Sequence, residues 1–240
     1  MRQRTSPFDP YLPQVGCWFV VLALAAVCLM PLVMLRVMED ALRHLHLPGW
    51  LATLTVFGIF IGSVINLPLL RIDRGAEQPV MRGYMVPGLG WVPLPRKSEQ
   101  TILAVNVGGC IIPVVLALFE ASYVIYDMPP ARWALAVAAG VNIAVCYFLA
   151  RPIPGVGIAI PAFVPPLAAI GLAWLLLSGE QFNEIRAPVA FVAGVAGPLI
   201  GADLLHLRRF ADLRTGILSI GGAGTFDGIV ISGILAAFFT

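Results

Sequence analysis

Pro188-Val-Ala-Phe-Val-Ala-Gly-Val-Ala-Gly-Pro-Leu-Ile-Gly-Ala-Asp-Leu-Leu-His-Leu207 is an apolar run in which only Asp203 and His206 carry ionisable side chains. A helix that crosses a bilayer needs about 20 mostly apolar residues, so this run predicts a membrane span. Six further stretches have the same character. The seven predicted spans are residues 15–36, 50–70, 101–124, 132–150, 160–178, 188–207 and 216–239.

The composition of the whole chain supports a membrane location. Hydrophobic residues make up 59% of the 240 positions and charged residues only 12%, whereas a soluble domain carries about 25% charged residues. We therefore predict an all-α, polytopic membrane helix bundle in the inner (cytoplasmic) membrane, built as a single integral domain over 1–240. Membrane lipids are predicted to surround this bundle. The net charge of +2 is too small to indicate a nucleic-acid partner, and the oligomeric state is left open.

The positive charges divide unevenly between the two sides of the predicted bundle. With seven spans, 11 of the 15 Lys and Arg residues fall on the side of the N-terminus and 4 on the other. The larger group is Arg2, Arg4, Arg71, Arg74, Arg82, Arg96, Lys97, Arg151, Arg208, Arg209 and Arg214, and the smaller is Arg36, Arg43, Arg132 and Arg186. Cytoplasmic loops carry the excess of positive charge. The N-terminus is therefore predicted in the cytoplasm and the C-terminus outside.

The longest predicted loop, 71–100, lies on the cytoplasmic side. Its stretch 84–95 places Pro-Gly turn chemistry between short apolar runs and predicts a small hairpin, with Trp91 as an anchor at the membrane surface. The four cysteines at 17, 28, 110 and 146 lie in apolar segments without metal-ligand or redox spacing. A disulfide framework is not expected.

Two predicted spans begin with residues that disfavour a regular helix. The approach to span five, 152–166, is rich in proline and glycine, and each internal proline removes a backbone donor and clashes with the preceding turn. The beginning of span seven, 217–227, is rich in glycine and predicts an extended strand or loop followed by a helix from Asp227. Non-helical backbone in a membrane is tolerated where it is buried in protein or lines a wet cavity.

Asp203 and Asp227 are the candidate functional residues, because a carboxylate in hydrocarbon costs about 2.5–3.5 kcal/mol on insertion scales. The predicted topology sends both to the cytoplasmic half of the membrane. His206 lies three residues after Asp203 on the same helical face and is predicted to tune it. Simpler roles are an interfacial residue paired with Arg208 or Arg209 for Asp203, and a helix cap for Asp227.

Over most of its length the chain resembles an uncharacterised family of bacterial and archaeal membrane proteins. The blocks that carry this resemblance are Ala104–Pro113, Pro154–Pro166, Gly201-Ala-Asp-Leu-Leu205 and Gly221–Gly228. A local resemblance is mechanistic. Phe226-Asp-Gly-Ile-Val-Ile-Ser-Gly-Ile234 is similar to the Gly-x-Gly-Asp stretch of presenilins and signal peptide peptidases, although Phe226 replaces the glycine before the aspartate. Pro161-Ala-Phe163 resembles their Pro-Ala-Leu element, but here it precedes both aspartates.

The second resemblance implies an intramembrane aspartyl protease in which Asp203 and Asp227 form the catalytic pair. One carboxyl stays protonated while the other is ionised and takes a proton from the attacking water. The residues expected to bind an unwound transmembrane segment are Gly221, Gly222, Gly224, Phe226 and Gly228, with Pro161, Ala162 and Phe163 as the opposite wall. This chemistry requires no metal or cofactor.

Two other classes of function remain open from the sequence. Broken helices and intramembrane carboxylates also build the ion sites of transporters and channels, and Asn66, Asn106 and Asn142 would add carbonyl ligands there. Alternatively, the polar residues only hold helices together in a structural or assembly subunit.

Overall fold

A computed structural model of the chain describes residues 12–73, 83–86, 90–93, 100–153, 157–207 and 217–240. This part of the chain is mostly helical, as the apolar runs predict. Its α-helices are α1 Leu12–Arg43, α2 Gly49–Gly62, α3 Ile112–Asp127, α4 Arg132–Leu149, α5 Val164–Leu176, α6 Asn183–Ala196 and α7 Gly228–Phe238. Two π-helical turns extend this set, Val107–Ile111 before α3 and Gly197–Asp203 after α6.

Three helical stretches in the described residues are long and apolar enough to cross a membrane. They are Val107–Asp127, Pro129–Leu149 and Glu180–His206, each continuous through short π or 3-10 turns. Helices α2, α5 and α7 are apolar but shorter, with 14, 13 and 11 residues. The predicted spans two, five and seven therefore hold helices that are shorter than the apolar runs around them.

Helix α6 forms the centre of the bundle. Every residue from Ile185 to Val195 is buried, because α3, α4, α5 and α7 all pack around it. Its small side chains permit close approach. A Cβ on Gly194 would lie 2.7 Å from the carbonyl oxygen of Ser232, and one on Gly233 would lie 2.7 Å from the side chain of Val195. The α6–α7 contact is thus a backbone-to-backbone contact of the kind that small residues allow.

The prediction of an all-α fold is wrong in one respect, because three predicted spans contain strands. Strands β1 Asn66–Asp73, β4 Gln100–Asn106 and β7 Ile217–Ile220 form a sheet in the order β1-β4-β7. β1 and β4 are antiparallel, while β4 and β7 are parallel. A continuous apolar run does not distinguish a buried strand from a helix, so hydropathy assigned these residues to spans.

Two small hairpins complete the described strands. β2 Gly83–Val86 pairs with β3 Gly90–Pro93, which confirms the hairpin predicted within loop 71–100. β5 Arg151–Ile153 pairs with β6 Gly157–Ala159 directly before α5. This hairpin and the β7 strand confirm that the approaches to predicted spans five and seven are not helical.

The end of the bundle where α7 terminates is fastened by a buried carboxylate. Glu120 of α3 is completely buried. Its Oε1 accepts a hydrogen bond from the backbone nitrogen of His46 at 3.1 Å, and its Oε2 lies 3.0 Å from the ring Nδ1 of the same histidine. The ring of His44 in the same turn meets the carbonyl oxygen of Ala237 at 3.1 Å. The turn between α1 and α2 is therefore held to both α3 and α7.

Candidate functional site

Asp203 closes the π-helical turn that follows α6. Gly197 and Gly201 of that turn lie so close to α4 that a Cβ would meet the Asn142 side chain and the Ile143 carbonyl. Because a π turn inserts extra residues into each helical repeat, it changes the direction in which the following side chain points. The turn thereby places the half-buried Asp203 on the wall of a cavity.

Asp227 is fixed by two backbone donors. It is the N-cap of α7, and its Oδ1 accepts from the nitrogen of Ile229 at 3.0 Å. Its Oδ2 accepts from the nitrogen of Ala223 at 3.3 Å, in the loop after β7. The cap interpretation considered from the sequence is therefore part of the observed geometry. A negative charge at this position is also stabilised by the positive end of the helix dipole.

Both carboxylates line the same cavity, which has a volume of about 390 Å³. Since a water molecule occupies about 30 Å³ of the liquid, this space is far larger than one water. Apart from Ser219, the remaining wall is aliphatic or backbone. Its lining residues besides the two aspartates are Ile158, Ile160, Pro198, Ala202, Leu218, Ser219, Ile220, Gly221, Gly222, Ala223, Gly228 and Ile229.

Three of the predicted binding glycines lie at the cavity. Gly221, Gly222 and Gly228 line it, and Gly221 needs to be glycine because its φ is +70°. Gly224 also has a positive φ, of +61°, but its α-carbon faces the side chain of Ser63 rather than the cavity. Phe226 is 55% exposed and does not belong to the wall.

The Pro161 block takes a different position from the predicted one. Pro161, Ala162 and Phe163 are exposed and are not among the residues that line the cavity. The wall from this part of the chain is formed by Ile158 of β6 and by Ile160 just before the block. The residues that form this wall therefore lie just before Pro161 in the chain, and not within the predicted block Pro161–Phe163.

His206 is held away from direct hydrogen bonding with Asp203 within the described contacts. Its Nδ1 lies 3.1 Å from the carbonyl oxygen of Gly201, and its ring packs against Tyr147 of α4 with centroids 4.8 Å apart. The side chain is buried. Gly201 and Asp203 belong to the same π turn, so His206 is joined to Asp203 through this backbone contact.

Strand β7 forms part of the cavity wall. Leu218, Ser219 and Ile220 line the wall, and β7 stands at the end of the strand order β1-β4-β7 in the described part of the chain. The outer edge of a terminal strand presents backbone donors and acceptors.

A polar network behind β7 was not predicted as part of the site. It consists of hydrogen bonds among Ser63, Asn66, Asn106, Ser219 and Thr225. The sequence predicts a role for both asparagines of this network only in the transporter alternative, as ion ligands. Their contact depends on the register that puts Asn66 opposite Asn106 in the β1–β4 pair, and a single sequence does not reveal that register.

The described residues contain no group of three or more His, Cys, Asp or Glu side chains arranged to hold a metal ion. No curated protein and no solved structure matches the chain. A family model described as "Protein of unknown function (DUF1614)" matches residues 60–239, a region that contains both aspartates, the three-stranded sheet and helices α3 to α7. The chain belongs to this DUF1614 family.

Proposed function

We propose that this protein is an intramembrane aspartyl protease-like enzyme that hydrolyses transmembrane peptide segments with Asp203 and Asp227. The observation that carries the proposal is that these two carboxylates line one cavity, together with residues of β7, the last strand in the order of the described sheet. They come from elements that are separate in the chain, the π turn after α6 and the cap of α7. An aspartyl protease needs two acids at one reaction site, and the cavity that these two share has room for both a water molecule and a peptide.

The proposed reaction uses the pair as one unit that shares a proton. The ionised carboxylate accepts a proton from water as the water oxygen attacks the peptide carbonyl carbon. The protonated carboxyl donates a hydrogen bond, then its proton, to the carbonyl oxygen. Collapse of the tetrahedral intermediate breaks the C–N bond. The leaving nitrogen receives the proton that was taken from water, and a hydroxyl proton of the intermediate returns to the other carboxylate, so the pair again shares one proton. Coupled carboxyls titrate together, so neither role is assigned to one aspartate alone.

The substrate proposed for this site is an extended, unwound stretch of a transmembrane helix. Strand β7 supplies backbone groups for pairing with such a stretch, as in other cases of β-strand addition. Ile158, Ile160 and Ile229 offer aliphatic contact to its side chains. Gly222, which is exposed and lines the cavity, leaves the backbone accessible just after the strand. A helix from the surrounding lipid would approach laterally.

The transporter alternative is less well supported by the same geometry. It uses Asn66, Asn106 and Asn142 as carbonyl ligands for an ion. The Oδ1 atom of Asn66 already accepts from Ser219 and Asn106, and that of Asn106 accepts from the Gly109 nitrogen. Asn142 donates to the carbonyl oxygens of Pro165 and Ala193, away from the cavity wall. These amides serve internal contacts.

The proposal also includes the membrane arrangement. We infer seven crossings in the inner membrane, with the N-terminus in the cytoplasm and the C-terminus outside. The uneven distribution of Lys and Arg between the two sides supports this orientation. Three helices with the length and composition of spans support a multi-pass chain. The two aspartates would then lie towards the cytoplasmic face.

The test is cleavage of co-expressed single-span proteins by variants that keep the caps and remove the acids. Asp203→Asn and Asp227→Asn should each abolish cleavage, with loss of at least about 1000-fold, since removing one member of a catalytic unit removes most of its effect. Asn caps a helix nearly as well as Asp, so Asp227→Asn should retain α7. Product bands are quantified per amount of folded protein.

Asp127→Asn is the matched control, because Asp127 is an exposed acid at the end of α3. It should cleave at the wild-type rate. Full activity of Asp227→Asn would show that Asp227 acts only as a cap. Activity of Asp203→Asn would remove the dyad altogether.

A further inference from the structure

We propose that Asn106 is the positioning residue of the aspartate cavity, because its carboxamide joins the cavity-lining strand and loop to the rest of the sheet. This inference rests on the proposed function. Asn106 is the last residue of β4 and is completely buried. A buried amide is costly unless its groups are satisfied, and here both sides of the amide are used.

The orientation of the Asn106 amide is fixed by its partners. Oδ1 accepts from the backbone nitrogen of Gly109 at 2.7 Å, and Nδ2 donates to the carbonyl oxygen of Ser63 at 2.8 Å. The nitrogen of Gly109 can only donate and the oxygen of Ser63 can only accept. The amide thus ties the end of α2 to the π turn that begins α3.

One path leads from Asn106 to the cavity wall through Asn66. Nδ2 of Asn106 also donates to Oδ1 of Asn66 at 3.2 Å, and the same oxygen accepts from the hydroxyl of Ser219 at 2.6 Å. Ser219 lines the cavity. Because its proton is engaged by Asn66, its oxygen is left as an acceptor. The relay therefore sets both the place and the hydrogen-bonding direction of Ser219.

A second path leads through Gly109 to Asp227. A Cβ on Gly109 would collide with the carbonyl oxygen of Gly221, so the π turn held by Asn106 is in direct backbone contact with the loop after β7. Two residues further along this loop, the nitrogen of Ala223 donates to Asp227. Asn106 thus supports the loop that orients one of the two carboxylates, without touching either of them within the described contacts.

The experiment compares Asn106→Asp with Asn106→Leu across pH. Leucine is the matched control, because its side chain is close in size to that of asparagine but has no group that gains or loses a proton. When protonated, the carboxyl introduced at 106 can still accept from Gly109 and donate to one of the former Nδ2 partners. When ionised, it faces those oxygens with a negative charge.

Asn106→Asp should lose about 10- to 100-fold in cleavage rate per folded enzyme at pH 8, the scale of loss caused by a misplaced reacting group. Its rate relative to wild type at the same pH should recover as the pH falls towards 5.5. Asn106→Leu, which has no proton to regain, should stay low at every pH.

If Asn106→Asp and Asn106→Leu both cleave at the wild-type rate per folded enzyme, the positioning role is wrong and Asn106 only stabilises the fold. That result would leave the protease proposal intact, provided that wild type cleaves and Asp203→Asn does not. Absence of aspartate-dependent cleavage in wild type would instead contradict the proposed function itself.

Discussion

At the scale of single residues, two glycines allow the π turn before α3 to contact the loop after β7. Gly109 of the π turn and Gly221 of the loop after β7 meet backbone to backbone, without space for a Cβ on either. Gly221 also has a left-handed φ of +70°, which costs little only for glycine. The contact lies between the network around Asn106 and the loop that holds Asp227.

We expect Gly109→Ala to destabilise the protein by about 1–3 kcal/mol, the usual cost of overpacking, and to reduce cleavage by the folded fraction. Thermal unfolding in detergent measures the first effect. Gly140→Ala is the control, since a Cβ at this helical position meets nothing within 4 Å. It should be neutral or slightly stabilising, because alanine favours a helix over glycine by about 1 kcal/mol. Equal unfolding temperatures for the two variants would contradict the close contact.

The sequence identifies the two aspartates because a carboxylate stands out in an apolar run, whatever the detailed structure. It does not identify Ser219 as a wall residue, since serine is common in membrane segments and its role here depends on pairing with Asn66. Nor does it exclude Phe163, which stands next to the wall in sequence but is 70% exposed. Local chemistry is visible in one sequence, whereas contacts between distant segments are not.

At the scale of elements, Arg186 joins two helices without a carboxylate partner in the described residues. It belongs to α6, and its Nε and Nη2 donate to the carbonyl oxygen of Leu177 at 3.1 and 2.8 Å, just beyond the end of α5. The guanidinium lies 3.9 Å from the ring centroid of Trp174. A cation at a helix C-terminus is stabilised by the last carbonyls and the dipole.

Arg186→Lys should lower the stability by about 1–3 kcal/mol, because lysine cannot donate through two fixed nitrogens or stack in the same way. Arg132→Lys is the control. Arg132 is exposed, and its Nε donates to the carbonyl oxygen of Ile125. We expect a change below about 0.5 kcal/mol for this surface position. An equally small change for Arg186→Lys would mean that the buried cap contributes little.

The elements that the sequence predicts best are the long helices, since periodicity and hydropathy extend over many residues there. Strands β1 and β7 were assigned to spans because Leu67, Leu218 and Ile220 are as apolar as lipid-facing residues. Only the glycines and Asp227 after β7 indicated an extended start. The parallel β4–β7 pair joins segments that are far apart in the chain, and no local pattern predicts that pairing.

At the scale of the whole molecule, the length and position of α7 bear on the proposed topology. It has 11 residues and is therefore about 16 Å long, roughly half of a hydrocarbon core. The carbonyl of Ala237 nevertheless lies beside His44, just after the end of α1, so α1 and α7 end at the same side of the bundle. We expect the C-terminus to lie on the outer side.

Alkaline phosphatase fused after Thr240 should be active, and green fluorescent protein at the same site should be dark. Fusions placed in the loop 71–100 should give the reverse pattern and serve as the control. A fluorescent C-terminal fusion would mean that β7 and α7 enter the membrane and return to the cytoplasm, which would contradict the seventh crossing.

The parallel pairing of β4 with β7 also means that part of the sheet can form only late in translation. Residues Ile102 and Ile217 are partners, and chains grow at about 5–20 residues per second, so β4 waits roughly 5–25 s for the strand beside it. During that interval the aspartate on α7 does not yet exist. Under the proposed function, a nascent chain would therefore be inert towards neighbouring membrane proteins at the translocon, and hydrolytic capacity would appear only after translation has passed the final strand.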